Sequence, residues 1–108
     1  MTWPQPGEPN EPDEPYERYE AYEPVVAGPV ARALAETIPE RAAWAILEFI
    51  NGRLLDNPRR IGYPLENELA GLHGAHVGDY RVIYRIDDEQ LVVEVLRVGH
   101  RADVYGHG

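Results

Sequence analysis

The chain has 108 residues, no cysteine and a formal charge of −9, from 19 acidic residues against 10 basic ones. That length gives one domain with one modest core, and the missing cysteines exclude a disulfide framework, a thiolate nucleophile and a Cys-ligated zinc, which fits a reducing cytoplasmic compartment. No apolar run is long enough for a transmembrane helix, and the acidic, Pro-rich start lacks the features of a secretion signal, so no membrane partner is expected.

The first 24 residues hold six of the ten prolines, seven acids and a single base (Arg18), a net of −6. Glutamates recur at every third position from Glu8 to Glu23, joined by Tyr16, Tyr19 and Tyr22. Polyproline II has three residues per turn, so this repeat lines carboxylates along one edge. Aliphatic residues are nearly missing, and such a segment cannot bury enough surface to offset its ordering entropy. Residues 1–21 therefore read as a disordered acidic tail, and residues 22–108 as the folded domain. The tail is either a solvated spacer or an acidic strip that docks on an arginine-bearing surface.

Tyr22 to Ala27 reads as a short strand closed by Gly28-Pro29. Pro29 suits the first turn of a helix carrying Val30, Leu34 and Ile38 as its apolar stripe. After Pro39 a second helix presents Trp44, Leu47, Ile50 and Leu54 on one face, and Asn57-Pro58 stops it. Asp56–Glu68 reads as a polar loop. A short strand over Leu72–Val77 precedes a hairpin, in which Tyr80, Val82, Tyr84 and Ile86 alternate with Arg81, Ile83, Arg85 and Asp87. Asp87 to Gln90 make its turn, and Leu91 to Val98 its second strand. The order β-α-α-β-β-β predicts an α+β fold: an antiparallel-rich sheet with a helical hairpin on one face. The other face is expected to be open, carrying Arg81 and Arg85.

The familiar catalytic patterns are missing. There is no Gly-rich phosphate loop, no His-Glu-x-x-His helix and no serine at all. His73 and His76 lie three apart, which on a strand places them on opposite faces, so no metal site and no cofactor are expected. What remains is a set of arginines and histidines on the sheet half: His76, Arg81, Arg85, His100 and Arg101, with Tyr105 nearby. Arginine clamps phosphate through its fork of donors, and histidine moves protons near neutral pH. Together they suit metal-free cleavage of RNA, whose 2′-hydroxyl is a built-in nucleophile.

Two segments sharpen this. Gly71-Leu72-His73-Gly74-Ala75-His76-Val77-Gly78-Asp79-Tyr80-Arg81-Val82-Ile83-Tyr84, followed by Val98-Gly99-His100-Arg101-Ala102-Asp103-Val104-Tyr105, resembles the RelE/ParE toxin superfamily. Asp56-Asn57-Pro58-Arg59 and Pro64-Leu65 match its central linker. The resemblance spans roughly Tyr22 to Tyr105 and implies a RelE-like fold. It also implies a toxin of a type II toxin–antitoxin pair, held in check by a small cognate antitoxin. RelE-type members cut mRNA on the ribosome without metal and leave a 2′,3′-cyclic phosphate. By position, Arg81 would stabilise the transition-state phosphate, Arg101 would contact the phosphate or protonate the leaving oxygen, and Tyr105 would stack on the cut nucleotide. The family's basic pair before Gly-Asp-Tyr-Arg is Gly74 and His76 in this chain, which leaves His76 as the proton-transfer group. Arg59, Arg60, Arg85 and His100 are the expected RNA contacts. Two other outcomes remain open: a ParE-like inhibitor of DNA gyrase, and a degenerate toxin fold that only binds its antitoxin.

Overall fold

Aromatic and β-branched residues alternating with polar ones from Tyr80 onward build the hairpin around which the other elements assemble. The structure, a computed structural model, describes residues 22–100. Strand β1 (Glu23–Val26) leads into helices α1 (Gly28–Glu36), α2 (Glu40–Asn51), α3 (Arg53–Asp56) and α4 (Pro58–Ile61). Then come β2 (Tyr63–Pro64), a 3-10 turn at Asn67–Leu69, β3 (His73–Val77), β4 (Tyr80–Asp87) and β5 (Val92–His100). The strands form one sheet in the order β1-β5-β4-β3-β2. β1 runs parallel to β5, and the other neighbours are antiparallel. This is the α+β architecture expected from the alternation of patterns, with one strand more. The acidic tail over residues 1–21, together with Arg101 and Tyr105, lies outside the described residues.

Local chemistry sets the helix boundaries. Pro29 stands in the first turn of α1, where a missing N–H costs nothing. The helix closes as the Thr37 and Ile38 amides donate to the Ala33 carbonyl. Gly52 interrupts the second helical stretch, which therefore continues as the separate turn α3 rather than running unbroken to Leu54. The stripe assigned to α2 also needs correction. Ala43, Ile46, Phe49 and Ile50 face the sheet, whereas Trp44 is 62% exposed and Leu47 lies at the surface. Ile50 and Leu54 of the expected stripe are in the core, while Ala43, Ile46 and Phe49 take the places expected for Trp44 and Leu47.

Asp56–Glu68, expected as a loop, is mostly regular structure: α4, β2 and the 3-10 turn occupy it. The reason is a long-range contact. The Tyr84 hydroxyl, on β4, donates to the Pro58 carbonyl at 2.6 Å inside the core and fastens α4 to the sheet. Gly62 follows where the chain passes behind that hydroxyl, and a Cβ there would collide with Tyr84 Oη and the Gly74 carbonyl. Ile46, Ile50, Leu54, Val82, Tyr84, Val93 and Val95 are the fully buried centre of this layer. Each contributes roughly 1.5–3 kcal/mol of transfer free energy.

Two irregularities shape the hairpin. Gly78 takes φ +60° in the β3–β4 turn, a conformation that glycine adopts without strain. On β5, Arg97 pairs with Ile83 but Val95 pairs with Tyr84, so Leu96 is an extra residue that bulges and twists the strand.

Candidate functional site

Because side chains alternate along a strand, Tyr80, Val82, Tyr84 and Ile86 of β4 point toward the helices, and Arg81, Ile83 and Arg85 point away from them. The far face is not the open surface expected. Arg81 is only 8% exposed. Its guanidinium carbon lies 5.6 Å from the centroid of the Tyr63 ring, close enough for a cation–π contact. Tyr63 comes from β2, in the stretch read as a loop, and sets its ring against Arg81 on this face.

Ladder pairing places His76 of β3 directly opposite Arg81. His76 is exposed, and its Nε2 is hydrogen-bonded to the Tyr63 hydroxyl at 2.9 Å. Two residues earlier on the same strand, Gly74 pairs with Tyr63. A Cβ at Gly74 would stand 3.2 Å from both Arg81 Nε and Tyr63 Cε1. The glycine thus permits the close approach of the other two groups. His76 also reaches the rim of a groove of about 440 Å³ between the end of α2 and β3, shared with Glu48, Phe49, Gly52, Arg53 and Gly78. There the Arg53 guanidinium lies 5.9 Å from the Phe49 ring centroid.

The other proposed RNA contacts are dispersed. Arg85 is held by Glu94 across the ladder at 2.7 Å and approaches Asp87 at 3.9 Å. Arg59 forks onto Asp88, with nitrogen–oxygen distances of 3.0 and 2.7 Å, and Tyr22 donates to the same carboxylate at 2.6 Å. These hydrogen bonds, Arg59 first, hold the Asp88 carboxyl below its ordinary range. That cluster sits at the β4–β5 turn, about 20 Å along β4 from Arg81 at ~3.4 Å per residue. Arg60 is exposed on α4. His100 pairs with Tyr80 and meets its ring edge-on at 5.4 Å, so it belongs to the sheet face opposite Arg81. His73 stacks on Tyr84 at 5.7 Å, on the helix side and away from His76. Burial, and then the nearby Arg59 charge, push its imidazole below the ordinary value.

The described residues therefore bring Arg81 and His76 together and leave Arg59, Arg85 and His100 elsewhere. Tyr63 joins the site without having been foreseen, and its only signal in the sequence was an aromatic beside Gly62 in a polar stretch.

Comparison with known proteins gives concordant results. Residues 16–105 match the family described as the ParE toxin of the type II toxin–antitoxin system parDE. Toxin RelE of Mycobacterium tuberculosis is 49% identical over 70 residues, covering 65% of this chain and 72% of that protein. Toxin RelG of the same organism is 49% identical over 75 residues, covering 69% of this chain and 86% of that one. Among solved structures, the M. tuberculosis toxin–antitoxin complex RelBE2 superposes with a TM-score of 0.70 at 44% identity, over 77% of this chain and 94% of the other.

Proposed function

Since the chain belongs to the ParE toxin family and is a toxin of a type II toxin–antitoxin system, we propose that it inhibits translation by cutting mRNA on the ribosome. The observation that carries this reading is the pairing of Arg81 with His76 across one rung of the sheet. Cleavage within RNA needs one base, one acid and a stabiliser of negative charge. His76 takes the proton from the 2′-hydroxyl, and the O2′–P bond forms as the P–O5′ bond breaks. Arg81, a permanent cation with paired donors, stabilises the charge that accumulates on the phosphorane oxygens. Arg101 protonates the departing 5′-oxygen, and Tyr105 stacks on the nucleotide. The products are a 2′,3′-cyclic phosphate and a free 5′-hydroxyl. Such chemistry requires no metal.

A small antitoxin is the partner that restrains the protein, as in the RelBE2 complex to which the chain is similar, and the cytoplasm is where both would meet ribosomes. The decisive experiment induces the protein in a bacterial host and maps RNA ends genome-wide. Cuts in phase with codons, bearing cyclic phosphates and relieved by co-expressing the neighbouring open reading frame, are the expected result. Gly74, standing where the family carries a base, favours a second reading in which the toxin binds DNA gyrase and does no chemistry. DNA breaks with intact mRNA would establish that one instead.

A further inference from the structure

The geometry points to Tyr63 as a positioning residue that sets His76 and Arg81 together. The inference rests on the ribonuclease reading and deepens it by adding a side chain that neither sequence motif contains. Tyr63 reaches both groups from β2. Its hydroxyl lies 2.9 Å from His76 Nε2, and its ring lies under the Arg81 guanidinium at 5.6 Å. Gly74 makes this possible, since a Cβ there would press on Tyr63, Arg81 and Leu65 at 3.2–3.3 Å. The glycine therefore gives the two side chains the room in which they meet. The tyrosine and the arginine close over it.

The hydrogen bond carries a chemical consequence. One imidazole nitrogen must hold the proton of the neutral ring, and the partner of the other decides which. A phenol hydroxyl can donate to Nε2 or accept from Nε2–H. The base role requires the second arrangement, in which Nε2–H donates to the Tyr63 oxygen and the 2′-hydroxyl proton passes to Nδ1. The bond to Tyr63 orients the ring at Nε2, and the inference requires the proton of the neutral imidazole to sit on that nitrogen. Its ring face, negative at the centre, meanwhile holds the flat guanidinium in register with the ladder.

The test uses the full chain and two variants, Tyr63→Phe and Tyr63→Leu. Nitrogen-15 NMR of the histidine side chains should show His76 protonated at Nε2 in the wild type, with a protected Nε2–H signal that Tyr63→Phe abolishes. Cleavage of ribosome-bound mRNA by Tyr63→Phe should fall about five- to tenfold in kcat, the loss of one hydrogen bond, with KM within about twofold. Tyr63→Leu, which also removes the ring under Arg81, should be slower again. A wild-type proton on Nδ1 would overturn the inference, and so would a Tyr63→Phe protein with unchanged histidine spectra and unchanged kcat. If the wild type cuts no RNA, the ribonuclease reading fails by itself, while the spectra still decide whether Tyr63 governs His76.

Discussion

Tyr84 shows how much one buried hydroxyl can hold. It is fully buried, donates to the Pro58 carbonyl and forces the glycine at position 62. Burial raises its ionisation from 10.0 to about 12. The unfolded chain ionises this tyrosine first, so its contribution is fully present below about pH 10 and disappears as pH climbs toward 12. In full it is worth roughly 2–3 kcal/mol. Tyr84→Phe should cost about 1–3 kcal/mol at neutral pH by orphaning the carbonyl. Its Tm should then fall less steeply than that of the wild type between pH 10 and 12, which thermal scans across that range will show.

At the same scale, Arg81 invites a conservative exchange. Truncation to alanine would empty a buried site and confuse packing with chemistry. Arg81→Lys keeps the charge but loses the flat surface against Tyr63 and the two-pronged donor set. Ribosome-dependent cleavage should drop by about 10²–10³, the usual consequence of losing such a donor, while circular dichroism stays native. Activity within a fewfold of the wild type would remove Arg81 from the reaction.

Among the elements, α2 offers a sharp test of which face is inside. Ile46→Ala should cost about 2–5 kcal/mol because the cavity lies at the centre of the core. Trp44→Ala should stay within about 0.5 kcal/mol despite removing the larger side chain, since Trp44 is mostly in solvent. Denaturant melts of the two variants settle the order. The error in the sequence reading has a physical origin. Trp44, Leu47, Ile50 and Leu54 satisfy helical spacing as well as Ala43, Ile46 and Ile50 do, and spacing cannot say which of two adjacent stripes the sheet will accept. The β4–β5 hairpin was legible because alternation and a turn are local signals. β2 was not, since two residues carry no period and their strand exists only because Gly74 and His73 pair with them. The Arg81–His76 pair could be read from the motif, but the Tyr63 ring against Arg81 could not, as it arrives from that short strand.

For the whole molecule, charge is the quantity to vary. The first 24 residues supply −6 of the net −9, and the proposed engagement of RNA works against that sign, since affinity for RNA grows with the number of phosphates neutralised. Removing residues 1–20 should leave Tm nearly unchanged and should tighten RNA binding, more at low salt than at high salt, where screening acts within about 8 Å. Equal affinity across a salt titration, with and without the segment, would make it a spacer only.

The parallel pairing of β1 with β5 bears on the protein's birth. Glu23 to Val26 find their ladder partners at Val92 to Val95, almost seventy residues later in synthesis. A nascent chain halted before Val92 has a first strand with nothing to pair with and a β4 with one edge bare. Contacts so distant in sequence form late and slowly. The sheet that carries Arg81 and His76 can therefore close only after β5 has left the ribosomal tunnel. A truncated product would expose unpaired strand edges to aggregation and proteolysis.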